Sequence, residues 1–272
     1  MNHNLTLAHW IILAWLLLAI LAGLLPLQPD VIELQHILAT PSMDAWLGFD
    51  DLGRSIGDRL IMGARTSFLV AFLVVLISFM IGTAVGIFAA WCGGWWDMFT
   101  GLIIDIFLAF PGILLAIAMA GLLGPGITNA IIALSVVGWV GFARLARAQT
   151  LAIKQRDHIL AAQALGTQPA RIALQHVLPL IMAPLLVEAT FAIAGTVIAE
   201  AGLSFLGLGV QPPDASWGSM IRDGIRYMLV APHMVLAPGV AIFLVVLSIN
   251  LLGDKLRDRM DVRLKSVTAR VV

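Results

Sequence analysis

The chain has 272 residues, of which 60% are hydrophobic and 12% are charged, and its 16 basic residues balance its 16 acidic ones. A water-soluble domain of this size carries about twice that charged fraction, so the composition excludes an ordinary soluble enzyme and indicates an integral membrane protein. The apolar runs are long and do not alternate, which predicts spanning helices and not barrel strands. No basic stripe suggests nucleic acid as a partner, and the one cysteine, Cys92, has no second cysteine to pair with.

Six apolar segments predict an all-α membrane protein with six transmembrane helices. They cover residues 5–27, 68–91, 101–123, 127–146, 180–203 and 234–252. A cleaved signal peptide is the rival interpretation of the first segment. An uncleaved span is favoured because the stretch before Trp10 has no Lys or Arg and no clear small-residue cleavage site follows.

Two polar regions between the spans have distinct patterns. In residues 51–62, Leu52, Ile56 and Leu60 recur every four residues, which predicts a short amphipathic helix lying in the membrane interface. This helix is either an elbow that orients the second span or a contact for substrate or partner. Residues 204–232 are rich in Gly and Pro, so we expect an irregular surface or re-entrant segment there.

The longest polar insert, residues 149–179, predicts two helices joined by a sharp corner. Gly166 favours the left-handed conformation that follows a helix C-terminus. Thr167 is expected to cap the next helix, Pro169 to lie in its first turn, and Pro179 to end it. Little side-chain bulk precedes the corner, where the chain has Ala161, Ala162 and Ala164. Another surface can therefore approach this backbone closely.

The distribution of Lys and Arg predicts the orientation. With the N-terminus inside, the inner segments 1–9, 91–100, 143–180 and 253–272 hold 11 of the 16 basic residues, and the outer segments hold 5. This bias places both termini and the 149–179 insert in the cytoplasm. The basic residues from Lys255 to Lys265 are also candidates for contact with anionic membrane lipid.

Several kinds of reactive site are excluded by the sequence. The three lysines are Lys154, Lys255 and Lys265, and none follows glycine, so the chain has no phosphate-binding Gly-Lys-Ser/Thr loop. The six histidines show no helical pairing that predicts a metal site. No arrangement of Ser, His and Asp indicates a hydrolase. We therefore expect a transport protein without catalytic residues, metal or cofactor of its own.

Three carboxylates and three prolines fall within or near the spans. An acidic residue inside a membrane is a candidate for an ion or proton path, and its alternative role is at a helix end or in packing against a neighbouring helix. Prolines there kink helices, either to form a gate or to fit a curved cavity. The candidates are Asp105, Glu188 and Glu200, with Pro111, Pro184 and Pro238. Glu188 and Glu200 are about 120° apart on a helix, so they do not form one obvious site.

The 149–179 insert resembles the EAA loop of ABC importer permeases, whose pattern is Glu-Ala-Ala, three residues, Gly, nine residues and Ile-x-Leu-Pro. Ala161, Ala162, Gly166 and Pro179 match it loosely, whereas Leu160 stands where the family has Glu. The resemblance implies that this loop docks on a cytoplasmic ATPase. The coupling residues that it implies are Leu160, Ala161, Ala162, Ala164, Leu165, Gly166 and Pro179.

Three further stretches resemble the peptide and nickel subfamily of these permeases. Residues 200–218, EAGLSFLGLGVQPPDASWG, are similar to its segment nearly throughout, and residues 105–111, DIFLAFP, match another. Residues 47–68 resemble a third signature, with Phe49 and Ser55 as departures. The implied fold is that of a type I ABC importer permease. Its parts would be a first helix and elbow at 1–65, a permease core at 66–255 and a cytoplasmic tail at 256–272.

The resemblance also implies partners. Such a permease pairs with a second, related permease, two ATPase subunits that bind ATP and Mg, and an extracytoplasmic solute-binding protein, in the inner membrane of a bacterium. The implied function is uptake of di- or oligopeptides, with nickel or a metal chelate as the alternative cargo. Two other classes stay open: a proton-coupled secondary transporter using Asp105, Glu188 and Glu200, and a structural membrane scaffold.

Overall fold

The computed structural model describes residues 3–43 and 45–268, and in that part of the chain every regular element is a helix. The α-helices are α1 His3–Leu21, α2 Ile56–Cys92, α3 Gly94–Leu108, α4 Gly112–Leu123, α5 Ile127–Ile153, α6 Asp157–Ala164, α7 Pro169–Ile172, α8 Leu178–Phe205, α9 Trp217–Gly224 and α10 His233–Thr268. Short 3-10 turns occupy 34–36 and 225–227, and a π-helical turn occupies 173–177. The all-α prediction is confirmed.

Four helical segments in the described residues are long and apolar enough to cross a membrane, and a fifth span results if α3 and α4 are counted together. The apolar part of α1, Thr6–Leu21, is shorter than these. The first helix ends at Leu21 and not at residue 27 as expected, since Gly23 and Pro26 follow. The count of six spans therefore stays a prediction.

The structure does not contain the separate amphipathic helix that was expected at 51–62. Instead, Ile56 begins α2, and the residues just before it form a tight turn in which Phe49 and Ser55 make an isolated bridge. Ile56 is 1% exposed and Arg59 is 4% exposed. The polar first turns of α2 are thus stabilised by tertiary contacts, which is why the spanning helix starts twelve residues before the apolar segment.

The single helix expected at 101–123 is wrong, because the chain breaks at Pro111 and the axes of α3 and α4 differ by 87°. Proline has no N–H to donate, and Gly112 follows it. In contrast, Pro184 and Pro238 lie inside the continuous helices α8 and α10. α10 also continues through Thr268, so the described part of the expected tail 256–272 is helical, while residues 269–272 lie outside the described residues.

The chain divides into two compact units. The first comprises Met1–Val74, Ala116–Leu134 and Ile193–Leu252. Its core includes Trp15, Ile56, Trp217 and Met234. The indole N–H of Trp15 donates to the carbonyl of Ala64, and that of Trp217 donates to the carbonyl of Leu60, at 3.1 and 3.0 Å. Two indoles therefore satisfy their polar edges inside this core while packing against α2.

The second unit comprises Val75–Leu115, Ser135–Ala192 and Gly253–Val272. Two glycines of α2 pack directly on α5. A Cβ on Gly82 would collide with the carbonyl of Trp139, and one on Gly86 would collide with the carbonyl of Ala143. Ala143 and Ala146 are fully buried on the facing side. Small residues let the two backbones approach closely, which is the usual basis of helix association in membranes.

Candidate functional site

The corner of the 149–179 insert forms at Gly166, as predicted. Gly166 has a φ of 77°, in the left-handed region that favours glycine. The backbone N–H groups of Gly166 and Thr167 donate to the carbonyls of Gln163 and Ala162, at 2.9 and 3.1 Å. These bonds satisfy the last carbonyls of α6 and turn the chain toward α7.

The ends of the helices beside this corner differ from those expected. Gln168, and not Thr167, is the N-cap of α7, without a side-chain bond, and Pro169 lies in the first turn as predicted. Pro179 does not end a helix. The N–H of Leu178 donates to the carbonyl of Ala173 in the π-helical turn 173–177. The missing N–H of Pro179 therefore falls where the hydrogen-bond register changes, and α8 runs on to Phe205.

Apolar side chains project from the 149–179 insert into solvent. Leu160 is 49% exposed, Leu165 85% and Leu174 65%. Ala161 and Ala164 are exposed beside them, and nothing lies within 4 Å of the position that a Cβ on Gly166 would take. Ile159, Ile172 and Val177 are fully buried and anchor the insert. Apolar groups held in this way on the outside of a folded segment are typical of a protein-binding surface.

Two basic residues hold the turn between α2 and α3 against α5. Arg147 makes two hydrogen bonds to Asp97, from Nε to Oδ1 at 2.6 Å and from Nη2 to Oδ2 at 2.9 Å. The Lys154 ammonium donates to the carbonyls of Ala90 and Trp91, at 3.2 and 2.6 Å. These carbonyls belong to the last turn of α2, where cations are favoured by the helix dipole. The last turns of α5, which lead into the insert, are thereby fixed to this turn.

Asp105 lies on α3 and lines a cavity between α3 and α5, together with Arg144 and Arg147 of α5. Asp105 and Arg144 are both exposed in this chain. Glu188 lies elsewhere in the same unit, with its Oε1 3.0 Å from the position that a Cβ on Gly141 would take. Glu188 is partly buried against α5, which fits the packing alternative for this residue.

Glu200 lies in the first unit and is 1% exposed. Its Oε2 accepts a hydrogen bond from the Ser67 hydroxyl at 3.1 Å, and its Oε1 accepts one from the Ser204 hydroxyl at 2.7 Å. The Ser204 oxygen in turn accepts the backbone N–H of Val210 at 3.1 Å. The carboxyl of Glu200 therefore connects α2, α8 and the loop that follows α8. This part of the 200–218 motif has a structural role.

The rest of that motif closes the loop between α8 and α10. Residues 206–216 are irregular, as expected, whereas α9 begins at Trp217 because Ser216 and Ser219 form a capping box. A Cβ on Gly218 would collide with the carbonyl of Ala201. The Trp-Gly pair of the motif thus combines a buried indole with a close approach of two backbones.

The motif in residues 47–68 builds a turn around Asp50. The Asp50 Oδ1 accepts the backbone N–H groups of Leu52 and Arg54, both at 2.9 Å, and its Oδ2 accepts Arg54 Nε at 2.7 Å. Gly53 has a φ of 73°, and a Cβ there would collide with the backbone of Glu33. Burial and the nearby Asp50 raise the pKa of the Asp51 carboxyl above its ordinary value.

Sequence reasoning missed several polar residues of these sites. Arg144 and Arg147 fall in or directly after the fourth predicted span, where a basic residue is as informative as an acidic one. The roles of Lys154 and Ser67 depend on partners 63 and 133 residues away in sequence, and no local pattern indicates such pairings.

Residues 82–266 match the family model of the binding-protein-dependent transport system inner membrane component. The match starts within α2 and includes the 149–179 insert and the 200–218 motif.

Two relatives show the same similarity over most of the chain. The dipeptide transport system permease protein DppC of Alkalihalophilus pseudofirmus is 42% identical over 257 residues, which are 94% of this chain and 84% of the relative. The glutathione transport system permease protein GsiD of Escherichia coli is 44% identical over 225 residues, which are 83% of this chain and 74% of the relative.

A solved structure of the MetNI methionine ABC transporter, described as inward facing, matches with a TM-score of 0.59. The sequence identity is 24%, and the match covers 73% of this chain and 95% of the other. This likeness shows the fold alone, and it agrees with the predicted type I ABC importer permease fold.

Proposed function

This chain belongs to the family of binding-protein-dependent transport system inner membrane components, and from that premise we propose that it forms half of the path of an ATP-driven importer of di- or oligopeptides. The family match, over 82–266, is the observation that carries the proposal. It makes the chain a multi-pass component of an inner membrane and the permease part of an ABC importer.

The cargo is proposed from the relatives. One is named for dipeptide transport and another for glutathione transport, and both exceed 40% identity over most of this chain. Glutathione is itself a tripeptide, so both names point to small peptides. Peptide cargo is therefore preferred to nickel.

The partners are proposed from the family and from the exposed insert. We propose a second, related permease, two cytoplasmic ATPase subunits that bind ATP and Mg, and an extracytoplasmic binding protein. The exposed Leu160, Leu165 and Leu174 supply an apolar surface for the ATPase. Leu160, which replaces the family's Glu, offers an apolar contact where the family has a carboxylate. The coupling residues proposed on this surface are Leu160, Ala161, Ala162, Ala164, Leu165 and Gly166, with Pro179 at the start of α8.

The proposed topology has six spans, counting α1 and the bent pair α3 and α4 as one span each, with both termini and the 149–179 insert in the cytoplasm. The core of the permease is taken as 66–255, close to the matched residues 82–266. Asp105, with the break at Pro111, is proposed for the translocation path. Glu188 and Glu200 are proposed for helix packing.

The test of coupling uses Leu165→Asp in the chain assembled with its partner subunits in proteoliposomes. Leu165 is 85% exposed, so the variant is expected to fold and insert normally, with a change in unfolding free energy of about 0.5 kcal/mol or less. A carboxylate in an apolar contact is costly, so ATP-dependent peptide uptake should fall at least tenfold and the ATPase should bind more weakly.

The matched control is Gln155→Asp, which adds the same charge at an exposed position between α5 and α6. This control should keep most of the uptake. Full uptake and ATPase binding by Leu165→Asp would contradict the proposed contact. Uptake driven by a proton gradient with no ATPase present would instead support the secondary-transporter alternative.

A further inference from the structure

The cavity beside Asp105 contains charges of both signs. It has a volume of about 400 Å³ and is lined by Asp105, Arg144 and Arg147, together with Gly101 and apolar side chains. Pockets of about 300–1,000 Å³ are the size that binds small molecules in proteins. A cavity of this kind has room for a dipeptide.

The three charges of the cavity are not equally available. Arg147 is already engaged by Asp97 through two hydrogen bonds. Among the described residues, neither Asp105 nor Arg144 takes part in an ion pair or a side-chain hydrogen bond, and both are exposed in this chain. The Arg144 guanidinium and the Asp105 carboxylate therefore share one cavity without forming an ion pair with each other, and the Asp105 carboxylate also attracts the Arg147 guanidinium.

The depth of Asp105 argues against a lipid headgroup as the ligand. Trp95 and Trp96, 68% and 54% exposed, lie in the first turn of α3, where indoles favour the headgroup level. Asp105 is nine residues beyond Trp96, which is roughly 14 Å further along the helix. Arg144 is one turn from Arg147, whose partner Asp97 directly follows Trp96, so Arg144 lies closer to the headgroup level than Asp105 does.

A carboxylate at the depth of Asp105 is costly in lipid, so it faces a polar space. The molecule that enters this space must tolerate a guanidinium and a carboxylate together. A free peptide does so, because its C-terminal carboxylate suits the planar guanidinium and its N-terminal ammonium suits the carboxylate. An extended dipeptide spans about 7 Å, so it can meet two separated charges in one cavity.

We propose that Arg144 and Asp105 form a transit site for peptide zwitterions, in which Arg144 receives the terminal carboxylate and Asp105 receives the terminal ammonium. The proposal rests on the peptide importer function proposed above. Three guanidinium atoms of Arg147 lie 3.6–3.9 Å from the position that a Cβ on Gly101 would take. Because Gly101 has no side chain, space is left beside this guanidinium. Arg147 is a positioning residue that holds α5 against α3 through Asp97.

The test compares three probes in the complete transporter: alanylalanine, its N-acetyl derivative and its C-terminal amide. The binding protein also senses the peptide termini, so the quantity compared is the ratio of variant to wild-type uptake for each probe. Because every assay contains the same binding protein, its preference cancels in this ratio.

Arg144→Gln should lower the uptake of alanylalanine roughly tenfold, which is the effect of losing one charge-assisted hydrogen bond. The amide lacks the carboxylate, so its ratio should stay near one. Asp105→Asn should show the converse pattern, with alanylalanine slowed and the N-acetyl derivative spared. Arg144→Lys, which keeps the charge, should restore most of the uptake.

Each other outcome overturns the proposal in a recognisable way. Equal slowing of all three probes would assign Arg144 and Asp105 a purely structural role. Unchanged uptake of all three would exclude the cavity from the path. ATP-dependent uptake of none of the probes by the wild-type chain, with its ATPase and loaded binding protein present, would overturn the peptide importer function itself.

Discussion

Glu200 is accommodated inside a spanning helix because two serine hydroxyls donate to its two carboxyl oxygens, at 2.7 and 3.1 Å. A buried carboxyl without such partners is strongly destabilising. Its neighbour Ser204 has two roles, since it donates to Glu200 and accepts the N–H of Val210. Ser204 is thus the polar centre on which the end of α8 and the following loop depend.

Ser204→Ala should therefore lower the free energy of unfolding by about 1–3 kcal/mol, because a carboxyl oxygen and a backbone N–H lose their partner. The measurement is thermal unfolding of the purified protein in detergent. The matched control is Ser78→Ala, since the Ser78 hydroxyl is buried and has no hydrogen-bond partner in the described part of the chain. If both variants unfolded at the same temperature, the Glu200 cluster would have no measurable role in stability.

Asp51 gives a pH-dependent prediction. Burial, together with the charge of Asp50, raises the pKa of the Asp51 carboxyl, and its Oδ1 lacks a hydrogen-bond partner. Because the pKa of Asp51 is higher in the native state than in the unfolded chain, the unfolded chain releases this proton at a lower pH. Native stability therefore falls as the pH rises from the carboxyl's ordinary pKa, about 3.9, through the native value.

Asp51→Asn removes this penalty, so the variant should melt at a higher temperature than the wild type at pH 7. The difference should shrink as the pH falls toward 4 and vanish below the ordinary pKa. Melting curves collected across this range check the sign. A variant less stable than the wild type at pH 7 would show that attraction to Arg54, 3.9 Å from the Asp51 carboxyl, dominates.

At the scale of elements, the turn between α2 and α3 depends on the residue that directly follows α5. Lys154 donates to the last carbonyls of α2, and its ammonium lies 5.6 Å from the centre of the Trp91 ring. Lys154→Met keeps the length and the apolar stem of the side chain but loses these interactions.

Backbone amides at 89–94 should exchange with deuterium several times faster in Lys154→Met, because the end of α2 loses the groups that cap it. Hydrogen exchange followed by mass spectrometry measures this directly. Lys255→Met is the control for the loss of a lysine, and it should leave 89–94 unchanged. Equal protection of 89–94 in the two variants would contradict the capping role.

Elements were predictable from sequence where the cause is local. Hydropathy located the apolar centres of the long spans, and Gly166 marked the corner of the insert. Helix ends were less predictable, because α2 begins in polar sequence held by tertiary contacts and α10 continues into charged sequence beyond its apolar part. Prolines behaved differently from one another: Pro111 coincides with a break and Pro184 does not. Whether a proline breaks a helix depends on whether neighbouring groups donate hydrogen bonds to the carbonyls that the proline leaves unpaired, and no local pattern encodes this.

At the scale of the site, the sequence identified Asp105 but not its neighbour Arg144. The two residues are 39 positions apart and line one cavity, where Arg147 holds α3 beside α5. Motif resemblance led to the prediction that the insert docks on an ATPase, whereas the visible contacts of the 47–68 and 200–218 motifs are largely structural.

At the scale of the whole molecule, the proposed topology can be tested by labelling. In a Cys92→Ser background, Ser42→Cys and Gln168→Cys each add one exposed thiol, in the 28–55 region and beside the corner of the insert. A membrane-impermeant maleimide applied to intact cells should label Ser42→Cys, and it should label Gln168→Cys only after the membrane is opened. The reverse pattern would place the insert outside the cell and exclude its docking on a cytoplasmic ATPase.

Within the second unit, the close packing of α2 on α5, the Arg147 pair and the Lys154 bonds leave little slack between the insert and the helices that carry Asp105 and Arg144. If the insert docks on the ATPase as proposed, a displacement of the insert reaches the cavity without an intervening flexible joint. Motion of the insert would then time the release of the proposed cargo from the cavity.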